Sequence, residues 1–194
     1  MLSAASPINA AGGSNGDNPT NLGISDFSMV ATTLDTNNAF KFVTGIDATT
    51  GISTTPIRPA YIMLASTELQ SDLDGLVGSG FVSAWNYAST QPAMPTEYGS
   101  VLNVRILTSS EAPVARATSA NGQDIYWNPV LGKQALTHIS QDGYSMKLLY
   151  RGPEFSGMLQ QNCTLAVKFA QAQAITQDTG IRQLKCTRIS TLGV

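Results

Sequence analysis

The most informative apolar pattern lies between Pro59 and Ser109. Tyr61-Ile62-Met63-Leu64-Ala65 is a short unbroken apolar run, which predicts a strand covered on both faces. Thr67-Glu68-Leu69-Gln70 follows, a T-x-x-Q capping box whose hydroxyl and amide can satisfy free backbone N–H groups. The helix predicted there carries Leu69, Leu73, Leu76 and Val77 on one side. Gly75, Gly78 and Gly80 weaken it, so a break is expected before a second piece bearing Phe81, Val82 and Trp85. A polar turn, Gln91 to Pro95, leads to Glu97-Tyr98-Gly99 and a second apolar strand, Val101 to Leu107. Strand, capped helix, loop and strand make a compact α/β layer unit.

Outside this stretch the pattern is less dense. Residues 1–22 are small, polar and rich in Gly and Asn, which predicts an extended arm or loop without a core of its own. Ser25-Asp26 can cap a helix from Phe27 to about Thr36, with Phe27, Val30, Ala31 and Leu34 at helical spacing and Asn37-Asn38 as its stop. Phe40 to Val43 and Thr54 to Ile57 flank a Gly-, Thr- and Asp-rich loop and predict a long hairpin. Ile125-Tyr126-Trp127 reads as a short strand, and Val130 to Ile139 as a helix with Leu131, Ala135, Leu136 and Ile139 on one face.

The last third has the period of a sheet. Met146 to Tyr150 is strand-like and stops at Gly152-Pro153. Cys163, Leu165, Val167 and Phe169 alternate with Thr164, Ala166, Lys168 and Ala170, a period-two pattern with one apolar face. Asp178-Thr179-Gly180 makes a turn, and Ile181 to Ile189 is expected to return beside it as a two-stranded ribbon needing a covering element.

Composition narrows the function classes. Of 194 residues only 12% are charged, about half the usual share, and the net charge is −2. Ser, Thr, Asn, Gln, Gly and Ala carry the surface instead, which suits a surface mostly covered by neighbours. With 11 basic and 13 acidic residues there is no electrostatic footprint for tight nucleic-acid binding. No run reaches the ~18 apolar residues of a membrane span, and no signal peptide is expected at the N-terminus. Cys163 and Cys186 are the only cysteines, expected as two reduced, buried thiols.

Catalytic and metal chemistry finds little footing. His138 is the single histidine, which removes most triads and zinc sites, and it reads as structural on an apolar helical face. Asp72 and Asp74 are two apart on a helix and do not face one point; they complement the helix dipole instead. The Asp72-x-Asp74-Gly75 run lacks the spacing and closing Glu of a calcium loop. Gly132-Lys133 lacks the preceding glycine of a phosphate loop, and Gly78-Ser79-Gly80 is not a nucleophile elbow. No cofactor and no metal site is expected. Arg182 and Arg188 share a strand face, with Lys185 on the other. They suit a contact to DNA backbone, a neighbour's carboxylates, or a solvated edge that discourages stray pairing. Trp85, Tyr87, Tyr98 and Trp127 are the candidate interface anchors, because aromatics dominate desolvated contacts.

In order along the chain, several weak motifs resemble the phage major capsid proteins of the Hong Kong phage fold, in particular the N-four-like branch. Pro59-Ala60-Tyr61-Ile62-Met63-Leu64 is similar to the family's apolar strand, Asp72-Leu73 to its following helix, and Phe81 to Tyr87 to that helix's aromatic end. Glu97-Tyr98-Gly99-Ser100-Val101 with Arg105-Ile106 is similar to its E-x-G-x-V…R strand, and Gly157 to Ala170 to a late strand through Lys168 and Ala170. The resemblance covers most of residues 25–190 and corresponds to the family's C-terminal portion, since members are longer and carry an arm, an extended hairpin and a spine helix before it. It implies an α+β fold with an axial-domain sheet, flanking helices and a peripheral-domain β-ribbon. The implied division is a flexible arm or loop at 1–22, a peripheral domain at 23–57 and 141–194, and an axial domain at 58–140. It further implies a non-enzymatic virion protein, made in the host cytoplasm, whose copies form hexamers and pentamers of an icosahedral head around double-stranded DNA. Portal, scaffold and decoration proteins are its implied partners, with weak non-specific contact to packaged DNA and no membrane. The alternative is a phage tail, fibre or decoration module with a Ser/Thr/Asn-rich β surface. Leu165, Val167 and Phe169 are expected to be covered by a segment outside these residues or by a neighbouring subunit.

Overall fold

A computed structural model describes residues 7–10, 19–42, 59–76, 80–87, 94–119, 122–140, 146–152 and 163–188, and every structural statement below concerns these. The chain forms two compact units, Met1–Ala135 with Gln177–Val194, and Leu136–Thr176. In chain order the elements are β1 (Pro7–Asn9), α1 (Ile24–Thr36), β2 (Tyr61–Ser66), α2 (Gln70–Asp74), β3 (Phe81–Ser83), β4 (Glu97–Val101), β5 (Val104–Ser109), β6 (Val114–Ala115), β7 (Ile125–Leu131), β8 (Leu136–Ser140), β9 (Lys147–Arg151), β10 (Thr164–Lys168), β11 (Gln171–Ile175) and β12 (Ile181–Cys186).

The first unit is built on a mixed sheet in the order β1-β12-β7-β2-β5-β4-β3, with β6 added to β7. β2 sits near its centre, parallel to β5 and antiparallel to β7. Its alternation sorts the faces. Tyr61, Met63 and Ala65 are fully buried with Val104 and Ile106 of β5 and Val130 of β7, whereas Ile62 and Leu64 on the opposite face are half-buried.

α1 contributes Phe27, Val30, Ala31 and Leu34 to the same core, as its spacing predicts. Its start is held by Asp26, whose carboxylate accepts the Gly23 N–H at 2.7 Å. Its stop has a clear cause. Asn38 takes a left-handed φ of 55°, and Asn38 and Ala39 donate back to the Asp35 and Leu34 carbonyls, both at 3.0 Å, closing the last turn as a Schellman motif. Tyr61 then ties the helix end to the sheet by donating to Asp35 at 2.6 Å, and Lys41 pairs with the same carboxylate at 2.8 Å.

Several local expectations are corrected. The residue that caps the turn after β2 is Ser66, not Thr67: its Oγ accepts the Glu68 N–H at 3.3 Å, and a 3-10 turn precedes the five-residue α2. Phe81 to Ser83 is an edge strand rather than a helical piece: α2 has already ended at Asp74, Gly80 at φ 120° is not helical, and Phe81 finds Val101 as its partner. The expected strand from Val101 to Leu107 is a hairpin, turning at Leu102 with φ 50°. No helix spans Val130 to Ile139. Val130 and Leu131 finish β7, Gln134 takes a left-handed φ of 67° in the turn that follows, and Leu136 begins β8. The apolar spacing there fits either period over so short a run.

The C-terminal ribbon is also differently paired. Ile181, Gln183, Leu184 and Cys186 are buried on both faces of β12, which a two-stranded ribbon cannot achieve, and β12 lies in the large sheet against β7. In the second unit β10 pairs with β9 and β11 with β8, both antiparallel, so the ladders are nested along one outgoing and one returning stretch of chain. Both cysteines are free thiols; Cys186 is buried as expected, and Cys163 is exposed. The expected hairpin arm from Thr54 to Ile57, its loop from Gly45 to Gly51, Val77, and most of residues 1–22 lie outside the described residues.

Close packing where β3 meets β4 makes a sharp prediction. A Cβ on Gly99 would lie 2.6 Å from two Phe81 ring carbons and 2.6 Å from the Val82 carbonyl oxygen. Backbone cannot step aside as a side-chain tip can, so Gly99→Ala should destabilise the protein by about 1–3 kcal/mol, the usual cost of overpacking. Urea melts read this directly, and an unchanged midpoint would refute it.

Candidate subunit-interface surfaces

Two polar networks determine which side chains remain free to meet a partner. The first is buried. Glu97 on β4 and Arg105 on β5 have side chains 0% and 4% exposed, and the guanidinium makes a two-pronged contact, Nε to Oε1 at 2.9 Å and Nη2 to Oε2 at 2.6 Å. Tyr87 donates its hydroxyl to Oε1 at 2.8 Å, and the Met94 N–H donates to Oε2 at 2.9 Å. Four donors therefore meet the roughly four acceptor directions of one carboxylate. Burial pushes the Tyr87 hydroxyl up to about 12; a bond to Ser100 opposes it, and the bond to Glu97 adds to it.

The second network is at the surface. Arg116 bridges Glu68 (Nη2 to Oε1, 2.6 Å) and Asp124 (Nη1 to Oδ2, 2.6 Å), and Tyr126 donates to Glu68 at 2.5 Å. Asp124 also accepts the Ala117 N–H at 2.8 Å, so the stretch after β6 is clamped to the turn after β2. Arg116 is the main reason the carboxyls of Glu68 and Asp124 lie below their ordinary values, with Tyr126 and the Ala117 N–H adding to it respectively. Burial, with Glu68 beside it, raises the Tyr126 hydroxyl to about 12.

The six candidate residues fall into different settings. Trp85, in a 3-10 turn after β3, is 87% exposed. Tyr87 is turned inward to Glu97. Tyr98 packs its ring 5.9 Å from that of Phe81 and donates to Asp74 at 2.7 Å; burial, with Asp74, raises its hydroxyl to about 12. Trp127 lies under the Lys185 ammonium, 4.1 Å from the ring centroid, a cation–π contact across β7 and β12. Arg182 is half-buried and donates to the Ile181 carbonyl at 3.0 Å. Arg188 is half-buried, its Nε makes no hydrogen bond among the described residues, and its charge helps hold the Glu68 carboxyl down. Among the described residues no hydrogen bond, ion pair or ring contact joins two of these six.

Most of the exposed large apolar side chains lie elsewhere, in the second unit. Leu136, Ile139, Met146, Leu148, Leu149, Tyr150, Leu165, Val167 and Phe169 are all exposed. The period-two alternation identified Leu165, Val167 and Phe169; their cross-strand neighbours on β9 were missed, because the pairing of β10 with β9 is not written in either segment alone. His138 is exposed on β8, not on a helix, with Nε2 3.2 Å from Gln171 Oε1. Among the described residues no group of three or more His, Cys, Asp or Glu side chains is placed to hold a metal ion, and no helix is long and apolar enough to cross a membrane.

Among solved structures, the capsid of Ralstonia phage GP4 superposes on 97% of this chain with a TM-score of 0.64 at 14% sequence identity. The chain has a phage-capsid fold. The α+β class and Hong Kong phage-type fold expected from the sequence are therefore what the structure has. A chain of Mycobacterium phage Che8 aligns with 94% of this one at 13% identity and a TM-score of 0.45. The capsid-fold region described here spans about half of each of those chains, 53% and 54%. No protein-family model matches the sequence, and no curated protein does.

Two outcomes follow from the networks. Removing one partner of a buried ion pair leaves the other uncompensated, so Arg105→Met should cost about 3–5 kcal/mol, whereas Glu97→Gln combined with Arg105→Met should cost less than that single change. Denaturant melts of the single and double variants check the order, and a double variant no better than Arg105→Met would contradict it. The surface clamp predicts a pH dependence. Glu68 and Asp124 are depressed in the folded state, so their contribution is complete above their ordinary values of 4.5 and 3.8 and is lost as pH falls through the lowered ones. The Tm advantage of wild type over Arg116→Gln should accordingly be full at neutral pH and shrink as the pH falls below those ordinary values. An advantage that stayed constant would assign it to packing instead.

Proposed function

We propose that this chain acts as a major capsid subunit of the N-four-like branch, a structural virion protein whose copies tile an icosahedral head around double-stranded DNA. The observation that carries this reading is the superposition of 97% of the chain on a phage capsid structure. The exposed apolar ribbon adds support, since contiguous apolar patches of more than a few hundred Å² are typical of surfaces that neighbours cover.

In this reading residues 58–140 supply the axial domain that meets its copies around hexamer and pentamer axes. Residues 23–57 and 141–194 supply the peripheral domain, and residues 1–22 an arm that is not free of the core, since β1 pairs with β12 and Ala10 and Leu22 are buried. The large sheet draws on both proposed domains, because β12 is hydrogen-bonded to β7. Trp85 is the axial side chain best placed for a neighbour, being the most exposed aromatic of the candidate set. Arg182 and Arg188 are candidates for a neighbour's carboxylates or for the backbone of packaged DNA. Portal, scaffold and decoration proteins would be the other partners, and the work is mechanical rather than catalytic.

Electron microscopy and sedimentation of the protein prepared with its natural complement test the reading. Closed shells or capsomers are the expected result, with the protein present in hundreds of copies per particle. A strictly monomeric component present in a handful of copies would overturn it.

A further inference from the structure

The β9–β10 ladder sorts its side chains by chemistry. Leu148 stands opposite Val167 and Tyr150 opposite Leu165, so these four share one face. They are 62%, 51%, 68% and 65% exposed respectively. The same alternation carries Met146 and Phe169, 74% and 62% exposed, onto that face at the end of the ladder. The face bears no charge. On the other face Lys147 stands directly opposite Lys168 and Arg151 opposite Thr164, with Leu149 opposite Ala166 between them.

This division selects the partner. The apolar face has no charge for a foreign surface to read and is complementary to itself, the condition an isologous contact requires. Its exposed area is on the order of 800 Å², about one partner's share of a standard stable interface.

We propose that the apolar face of the β9–β10 ladder docks on the same face of a second copy of this chain. The two ladders stack about a twofold axis roughly 10 Å apart, as packed sheets do, with Lys147, Arg151 and Lys168 turned outward. The proposal rests on the capsid reading for the presence of many identical copies, and it adds which surface joins two of them.

The test compares the whole chain with two variants by sedimentation velocity over a range of concentrations. Leu165→Lys combined with Val167→Lys charges the docking face, and Ala166→Lys charges the opposite one. Wild type should self-associate, the double variant at least tenfold more weakly, and Ala166→Lys within about threefold of wild type. Circular dichroism and thermal melting establish that each variant is folded. Should the double variant fail to fold, Tyr150→Ser, which removes an exposed ring, replaces it with the same expectation. Equal association of wild type and face variants overturns the proposal. So does a monomeric wild type whose Leu165 and Tyr150 are protected from hydroxyl-radical labelling, which would assign the cover to the same chain, or a particle in which a different protein lies on this face. Shells formed equally well by the double variant would remove the pairing and leave the capsid reading standing. Face-dependent dimers that never form capsomers would do the reverse.

Discussion

One buried ion pair holds the far side of the main sheet together. Glu97 and Arg105 are both out of water, and the desolvation of each costs several kcal/mol unless geometry and hydrogen bonding restore it. Here they do. The guanidinium fork meets both carboxylate oxygens, and Tyr87 and the Met94 N–H take the remaining acceptor directions. The consequence is structural rather than chemical: the β4–β5 hairpin, the 3-10 turn after β3 and the Met94 backbone are all referred to one point. On the neighbouring edge strand the Phe81 ring packs so closely on Gly99 that no Cβ would fit there.

The rest of the charge in the first unit is used in a similar way. Few residues are ionised, and those that are cluster at joints: Asp35 with Lys41 and Tyr61 where α1 ends, Glu68 with Arg116 and Asp124 where the turn after β2 meets the stretch after β6. Exposed pairs are worth little individually, so the fold energy comes from the apolar core, and the ion pairs select the loop geometry above it. In the second unit, by contrast, one face of the β9–β10 ladder carries no charge at all.

The second unit shows the other half of that design. Its ladders have hydrogen-bonded backbones and side chains left to water, with an apolar face that nothing described in the unit covers. A two-stranded ladder is marginal in isolation, so the unit's order and its partner are a single question. In the capsid reading, assembly supplies the layer that folding alone leaves out.

How much of this was legible in the sequence depends on the range over which each signal acts. The helix α1, its stop at Asn38, the buried strand β2 and the apolar alternation of β10 were all readable, because spacing, capping and chain reversal act over a few residues. The ordered run of weak motifs, Glu97 with Arg105 among them, pointed to the fold class. The motif did not disclose that the two form a buried pair, since the seven intervening residues show neither the turn at Leu102 nor the arrival of Tyr87. Strand partners were beyond reach for the same reason. β12 was expected beside the ribbon and lies against β7, because burial on both faces is a property of where a strand sits in a sheet. The segment from Val130 to Ile139 had helical spacing and became strand, turn and strand, because over so few residues tertiary contacts outweigh period. The sequence by itself determined which positions must leave water; only the tertiary structure decided which of them found cover within the chain, because that depends on strands brought together from distant parts of it.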